Sequence, residues 1–297
     1  MIDYKKFIEN SRKWLSQYIK DNHLQSLVIG VSGGIDSTVS CAIVSPVCYE
    51  LNIPLIGRSL PCHSNNPEEI NSAQLVGEAF CNDFKEVAIE KLYAQTADMF
   101  ELNEGKLTKL QLGNIKARIR MNYLRNLASI HRGVVLDNDN FTEWNLGFWT
   151  VGGDSPMDIN LGLHYLWKTE IYELANYLLN SFEVLSNRDE VTSKAIEALR
   201  MSTLLNPTDG NGVSSSDCEQ FGLENYNQVD DILKTMYYYP FTFKNIHEHK
   251  EEYLRLIDSY NEQGVDKVMM LHQNTEYKRK PAPIMPTSEE LEIKEYV

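Results

Sequence analysis

Residues 28–40, VIGVSGGIDSTVS, combine the residue types that hold phosphate groups with one residue that repels them. A short apolar run leads into paired glycines, which let backbone N–H groups approach an anion, and then into a helix-like pattern whose N-terminus attracts negative charge. Ser32 and Ser37 add hydroxyl donors. Asp36 fits such a turn if Mg²⁺ lies between its carboxylate and the phosphates. The pattern therefore predicts a site for a magnesium-bound pyrophosphate group.

Confining a metal requires a second carboxylate, and the segment after the apolar run 133–136 supplies candidates. Its acids are Asp137, Asp139 and Glu143. The segment resembles the start of a calcium-binding EF-hand, but the glycine and the bidentate glutamate of that loop are absent, so we exclude it. Two purely structural interpretations remain open: Asp36 caps one helix, and Asp137, Asp139 and Glu143 lie at the start of another helix.

The whole chain limits the possible functions. It has 297 residues, 42% of them hydrophobic, and a formal net charge of −14. An acidic chain repels nucleic acid, and no apolar run approaches the roughly 20 residues that span a bilayer. The charged, helix-patterned N-terminus resembles neither a signal nor a transit peptide. The five cysteines form no metal-ligand spacing, which favours a reducing, cytoplasmic compartment.

Strand and helix patterns alternate through the first half of the chain, and this alternation predicts an α/β fold with a parallel sheet. Hydrophobic periodicity then favours further helices in 223–275. The simplest organisation is a single domain, taken as residues 1–281, with a mobile loop at about 206–222 and an acidic C-terminal tail at 282–297. The predicted strands are 26–31, 53–60, 86–89 and 133–136, and the predicted helices are 4–19, 37–50, 67–81, 108–131 and 168–180.

The string SGGIDS after a strand resembles the PP-loop ATP pyrophosphatases, which cleave ATP between its α- and β-phosphates. Six further blocks follow in order and together resemble the ammonia-dependent NAD synthetases over residues 1–281. The resemblance implies a doubly wound α/β domain and a homodimer. The blocks are GNIKARIRM (113–121), GVVLDNDNFTEWNLGFWT (133–150), GGDSPMDI (152–159), LWKTEIYELA (166–175), NPTDG (206–210) and EYKRKP (276–281).

By this resemblance, the carboxylate of deamido-NAD attacks the α-phosphate of ATP, pyrophosphate leaves, and ammonia displaces AMP. It implies catalytic roles for Asp36, Lys168 and Thr208, and a Mg²⁺ site at Asp36 and Glu143. The expected ATP-binding residues are Gly30, Val31, Ser32, Gly33, Gly34, Ile35, Asp36, Ser37, Arg58, Asn138, Lys168 and Thr208.

The same resemblance assigns the second substrate, deamido-NAD, to Arg118, Asp158, Tyr277 and Lys278. The chain departs from the family at three positions. Asn138 replaces a threonine, Tyr277 replaces a histidine, and Val151 replaces a lysine that approaches deamido-NAD in many relatives. Because valine carries no charge, this last change puts substrate affinity or the identity of the substrate in question.

No glutaminase domain fits in a chain of this length, so free ammonia is the expected nitrogen source. Two alternatives stay open at this stage. A tRNA-modifying PP-loop enzyme would have a basic surface, and the thiolases among them would have paired cysteines. A catalytically silent nucleotide-binding homologue would bind ATP without turnover.

Overall fold

The computed structural model describes residues 2–183, 190–206, 208 and 216–279. A five-stranded sheet forms its centre, with the strands in the order β3-β2-β1-β4-β5 and every pairing parallel. The strands are β1 (Ser26–Gly30), β2 (Leu55–Ser59), β3 (Asp83–Glu86), β4 (Gly133–Asp137) and β5 (Ile159–Asn160).

Helices cover both faces of this sheet, which confirms the predicted doubly wound α/β architecture. In the described part of the chain they are α1 (Tyr4–Asp21), α2 (Ile35–Leu51), α3 (Pro67–Phe80), α4 (Glu90–Glu104), α5 (Lys109–Ile130), α6 (Phe141–Leu146), α7 (Lys168–Glu183), α8 (Glu190–Leu204), α9 (Asp217–Phe221), α10 (Tyr226–Tyr238), α11 (Lys250–Ser259) and α12 (Glu262–Asn274).

The central strands are apolar on both sides because each side is covered by helices. Leu27 and Ile29 of β1 pack into a core with α1, α2, α3, α7 and α8, whereas Val28 between them packs into a second core with α4 and α5. A third core joins α6 to α9, α10, α11 and α12 beyond the sheet edge. Within the described residues, none of the helices has the length and apolar composition needed to cross a membrane.

The connection from β1 through α2 runs to β2 and β3 on one side, and the chain then returns to place β4 on the other side of β1. Val28 of β1 is in register with Val135 of β4. In open α/β sheets, such a reversal of strand order opens a crevice beyond the carboxyl ends of the two strands. Asp36, just after β1, and Glu143, just after β4, therefore face the same crevice, as the sequence analysis expected.

Three predictions about elements need correction. The strand expected at 86–89 lies at Asp83–Glu86, because an edge strand can be polar and the apolar residues 87–89 instead lead into α4. Part of the loop expected at 206–222 is the helix α9. The two-residue edge strand β5 carried no recognisable pattern. Residues 207, 209–215 and the expected tail at 282–297 lie outside the described residues.

Helix α2 is buried along most of its length and contains Pro46 in its interior. Proline cannot donate a backbone hydrogen bond to the carbonyl four residues earlier, here that of Ala42. Arg12 of α1 replaces that donor: its Nη2 donates to the Ala42 carbonyl at 3.1 Å and its Nε to the Ile43 carbonyl at 3.0 Å. The Arg12 side chain thus supplies hydrogen-bond donors to two carbonyls of α2 in the turn before Pro46.

This arrangement predicts a coupling between Arg12 and Pro46. We expect Arg12→Met to lower the free energy of unfolding by about 1–3 kcal/mol, because a buried carbonyl loses its donor. In a Pro46→Ala background the loss should be smaller, since the restored backbone N–H at position 46 donates to Ala42. Urea unfolding of the two single variants and the double variant measures this coupling. Equal losses in both backgrounds would contradict it.

Candidate active site

The turn between β1 and α2 is pressed against helix α3. Gly33 has a φ of +85°, a conformation that favours glycine, and a Cβ atom at this position would lie 2.3 Å from the Glu69 carbonyl oxygen and 2.7 Å from the Ala73 nitrogen. The Ser72 hydroxyl donates to the Gly33 carbonyl at 2.7 Å and fixes the turn. Gly33 therefore allows the turn to curve tightly enough to present its backbone beside the N-terminus of α2.

The serines of the turn bond to the turn itself and to each other. The Gly34 N–H donates to Ser32 Oγ at 3.2 Å, Ser32 Oγ lies 3.2 Å from Ser37 Oγ, and Ser37 Oγ donates to the Gly34 carbonyl at 3.1 Å. Gly30, Val31, Ser32, Gly34, Ile35, Asp36 and Ser37 all line one cavity of about 280 Å³, here called the central cleft. The turn and the positive end of α2 together form a wall of the cleft whose partial positive charge would favour an anion.

A buried cation lies between two carboxylates at the end of this turn. Lys168 Nζ is 2.5 Å from Asp36 Oδ2 and 3.0 Å from Glu143 Oε1, and the lysine is only 3% exposed. Burial lowers the pKa of Lys168, but the two carboxylates outweigh burial and raise it well above its ordinary value. Burial raises the pKa of Glu143 to about 7, although Lys168 opposes the shift. The charges lie in contact and away from bulk water.

Asn140 joins the two carboxylates. Its Nδ2 donates to Asp36 Oδ1 at 2.9 Å, and its Oδ1 accepts from the Glu143 N–H at 3.0 Å. The Asn140 N–H in turn donates to Glu143 Oε2 at 3.3 Å, which completes a capping box at the start of α6. The acids after β4 do begin a helix, but this cap also holds Glu143 beside Asp36.

Lys168 is held from the opposite side by a buried aspartate of α10. The Lys168 N–H donates to Thr142 Oγ1 at 2.8 Å, and the Thr142 hydroxyl donates to Asp230 Oδ1 at 2.5 Å. Asp230 Oδ2 also accepts from the Thr169 N–H at 2.9 Å, at the first turn of α7. Burial raises the pKa of Asp230. The third core thus positions the lysine through Asp230.

The central cleft contains a surplus of acids. Glu69, Asp139, Asp154 and Asp217 line it in addition to Asp36 and Glu143. Burial, together with Asp137 and Glu143, raises the pKa of Asp139 well above its ordinary value. A phosphate bound beside these acids would require additional cations.

The residues of the cleft fit Mg²⁺. Asp36 and Glu143 already converge on one cation, the Lys168 ammonium, and carboxylate oxygens are the ligands that Mg²⁺ prefers. Binding a metal between them requires the lysine to withdraw, and its flexible four-carbon side chain allows this.

The other expected ATP-binding residues lie around the cleft. Asn138 lines it, and its Nδ2 is 3.5 Å from the Gly30 carbonyl. Thr208 also lines it, and its hydroxyl donates to Glu69 Oε1. Arg58 lies in the wall, but Nη2 pairs with Asp83 Oδ2 at 3.0 Å and holds the pKa of that carboxyl below its ordinary value. Its expected place beside the adenine stays a prediction.

The residues expected to bind deamido-NAD divide into two groups. Arg118 lines a second pocket with Arg125 and the glycines at 152–153. Asp158 does not line that pocket: its carboxylate pairs with Arg125 Nη1 at 2.7 Å and accepts from the Val135 N–H at 2.9 Å.

The second group lies at the C-terminal end of the described chain. Lys278 is not a solvated basic residue: its Nζ donates to the carbonyls of Gly147, at 2.6 Å, and Trp149. Tyr277 is 54% exposed and Val151 is 47% exposed. The substrate-binding roles of Tyr277 and Lys278 stay predictions.

Sequence reasoning missed several residues that form this site. Arg120 lines the central cleft and donates from Nε to the Leu60 carbonyl at 3.0 Å; it is the second arginine of KARIRM, where only the first was singled out. Asp154 was visible within GGDS. Asn140 and Asp230 had no local signal, because their roles depend on side chains distant in sequence.

Comparison with known proteins places this geometry in context. The NAD synthase family matches residues 7–282. The NH3-dependent NAD+ synthetase of Thermoplasma volcanium is 29% identical over 237 residues, which are 80% of this chain and 86% of the relative.

Two solved structures share the fold. The NMN synthetase of Francisella tularensis superposes with a TM-score of 0.71 at 22% identity, covering 96% of this chain and 99% of that one. The NH3-dependent NAD synthetase of Campylobacter jejuni, in complex with the nitrate ion, gives a TM-score of 0.64 at 22% identity over 96% of this chain and 100% of that one. At these identities the similarity demonstrates the common fold.

The tight turn predicts opposite tolerance at its two glycines. We expect Gly33→Ala to lower the free energy of unfolding by about 2–5 kcal/mol, because the new Cβ would require a left-handed backbone and would meet the backbone of α3. Gly34→Ala is the matched control: its φ is −72° and its Cβ would meet Ser32 Oγ at 3.4 Å, so about 1 kcal/mol or less is expected. Thermal and urea unfolding test this, and equal losses would contradict it.

Proposed function

The chain belongs to the NAD synthase family, and we propose from this membership how its side chains carry out the family's reaction. It is an ammonia-dependent NAD synthetase, a ligase that uses ATP to amidate deamido-NAD to NAD. The observation that supports our assignment of the central cleft is the Lys168 ammonium held between Asp36 and Glu143, directly after the anion-binding turn.

ATP occupies the central cleft in this proposal. The backbone N–H groups of the turn at 30–37, the hydroxyls of Ser32 and Ser37 and the N-terminus of α2 bind its phosphates. Asp36 and Glu143 hold Mg²⁺, which supplies positive charge to the phosphate oxygens. The paired acids cannot lie beside a triphosphate without such a cation, because like charges at this distance repel strongly in a buried site.

Lys168 then changes partners. Its ammonium balances Asp36 and Glu143 before the substrates bind, and it neutralises the phosphate charge afterwards. The carboxylate of deamido-NAD attacks the α-phosphorus, and the bond to the pyrophosphate oxygen breaks. Lys168 and Thr208 bind the departing pyrophosphate. Positioning and charge neutralisation account for most catalysis of this type.

Ammonia completes the reaction. Its nitrogen attacks the activated carbonyl carbon, AMP leaves with the electrons of its bond to that carbon, and the nitrogen loses a proton to give the amide.

The second pocket is the proposed site for the distal part of deamido-NAD. Arg118 provides charge there, Asp158 acts by holding Arg125, and Lys278 acts by holding the carbonyls at 147 and 149. Val151, beside Arg118, provides no charge: the Arg118 Nε donates to the Val151 carbonyl at 3.3 Å. In this proposal, the charged residues of the second pocket set the affinity for deamido-NAD.

The proposed assembly is a homodimer in the cytoplasm, built from one catalytic unit over residues 1–281. Exposed apolar side chains along α4 and the start of α5 support a contact surface between two copies: Leu92, Met99, Phe100, Leu102 and Leu110. All five cysteines are free, in keeping with a reducing compartment. Size-exclusion chromatography with light scattering distinguishes a dimer from a monomer. A protein that is entirely monomeric at micromolar concentration would contradict the proposed dimer.

The reaction is tested with purified protein, Mg·ATP, deamido-NAD and ammonium, following NAD and AMP together. We expect equal amounts of the two products. Asp36→Asn should lower kcat by at least about 100-fold, because the metal and the lysine lose a charged partner. Asp98→Asn, an exposed carboxylate of α4, is the matched control and should retain full activity.

Other outcomes separate the alternatives. AMP formed without NAD would support the ATP chemistry and indicate another acceptor. Nicotinate mononucleotide is the acceptor to compare, because Val151 stands where many relatives have a lysine that approaches deamido-NAD. ATP binding without either product would identify a silent homologue. Full activity in Asp36→Asn would reject the proposed metal site.

A further inference from the structure

A second group of possible metal ligands lies outside the central cleft, where β2 and β3 end. Cys62 and His63 follow β2, and Glu90 is the first residue of α4, which follows β3. Their Sγ, Nδ1 and carboxylate oxygen atoms lie within 4.8 Å of one another. The reaction proposed above uses none of these three residues.

The backbone brings the three side chains together. Beyond the strands, the Val87 N–H donates to the Ser59 carbonyl at 2.8 Å and the Ile89 N–H donates to the Pro61 carbonyl at 2.9 Å. These two bonds continue the parallel pairing and place Glu90 beside the residues that follow Pro61. The ligand atoms are therefore set by the sheet and not by a free loop.

The sulfur-to-nitrogen distance fits a tetrahedral zinc site, and the two distances to Glu90 are shorter than such a site requires. Cys62 Sγ is 3.6 Å from His63 Nδ1. With bonds of about 2.3 Å to sulfur and about 2.0 Å to nitrogen, the two ligand atoms of a tetrahedral zinc site are roughly 3.5 Å apart. Glu90 Oε2 lies 2.8 Å from Sγ and 2.7 Å from Nδ1. This oxygen has to retreat by less than about 1 Å to leave room for the ion.

The exposure of the site suits this adjustment. Cys62 is buried, while the side chains of His63 and Glu90 are 65% and 44% exposed. An ion can therefore enter from solvent, and a water molecule can take the fourth position. Glu90 Oε2 also accepts from the His63 N–H at 2.9 Å, so its shift exchanges hydrogen bonds to Cys62 and His63 for a bond to the ion. A nucleophilic role for Cys62 fits less well. The Cys62 thiol donates to the Glu90 carboxylate at 2.8 Å, whereas the His63 imidazole nitrogen that would activate it is 3.6 Å away.

We propose that Cys62, His63 and Glu90 bind one Zn²⁺ ion. A thiolate, an imidazole and a carboxylate are the ligands that zinc takes in proteins, and thiolate favours zinc over Mg²⁺. Binding forms the zinc–sulfur bond and releases the thiol proton to solvent.

The site also borders the central cleft. Leu60, Pro61 and Asn65 line that cleft on the same loop, and Asn65 Oδ1 accepts from the Cys62 N–H at 2.9 Å and from Arg120 Nη2 at 3.1 Å. Zinc at Cys62 and His63 would hold this loop to α4 and so stabilise one wall of the cleft. The inference does not depend on the reaction proposed for that cleft.

The test measures Zn²⁺ binding to the full-length protein by calorimetry, with excess Mg²⁺ present to occupy the carboxylate sites. We expect one tight equivalent of zinc. Cys62→Ser and Glu90→Gln should each weaken binding by about 10- to 100-fold or more, since even residues that only support a ligand have effects of this size. Cys81→Ala, which removes a more exposed thiol, should leave binding unchanged.

Co²⁺ provides an independent readout, because a thiolate ligand gives a sulfur-to-cobalt charge-transfer band. We expect this band in the unaltered protein and in Cys81→Ala, and we expect its loss in Cys62→Ser. Circular dichroism checks that each variant is folded, and Glu90→Gln changes an exposed side chain that the core does not need. Absence of a tight zinc equivalent, or binding unchanged in both ligand variants, would overturn the proposal and leave a hydrogen-bonded cluster only.

Discussion

The structure depends on keeping three charges together in a buried position. Removing an ion from water costs several kcal/mol, and mutual attraction offsets this cost only when the geometry is good and the remaining bonds are satisfied. Lys168, Asp36 and Glu143 meet these conditions because Asn140 donates to both carboxylates, from its side chain to Asp36 and from its backbone N–H to Glu143, and Thr142 accepts from the lysine backbone. When Glu143 is ionised, the group has one more negative charge than positive charge. The resting site is therefore prepared for further positive charge, which a metal provides and a neutral pair would not attract.

Three separate parts of the fold position this group. The turn after β1 provides Asp36, the capped helix after β4 provides Glu143, and the third core provides Asp230, which holds the start of α7. Parallel strands are what allow this, because side chains that follow neighbouring strands emerge at the same edge of the sheet. The packing of α3 against the turn also contributes, because a loosened turn would move Asp36 away from Lys168 and Asn140.

The sequence predicted the parts of this arrangement that local patterns encode. The apolar runs of β1, β2 and β4, the glycine turn and the charged pair Asp36 and Glu143 were all predicted, because burial on both faces and phosphate binding each restrict residue type over a few positions. β3 was misplaced by three residues because an edge strand lacks that restriction. Asp230 and Asn140 could not be identified at all, since their importance arises from contacts across 61 and 104 positions of sequence.

One edge of the sheet thus presents two kinds of ligand a short distance apart. Between β1 and β4 the side chains are carboxylates, whose hard oxygens suit Mg²⁺ and the phosphates that accompany it. Beyond β2 and β3 they are a thiol, an imidazole and one carboxylate, which favour a softer ion. A divalent metal that enters either place is therefore selected by the chemistry of the ligands and not by the fold. Because the same loop connects Cys62 to Leu60, Pro61 and Asn65 in the wall of the central cleft, zinc in the second place would act on the first through the backbone, without competing for Asp36 or Glu143.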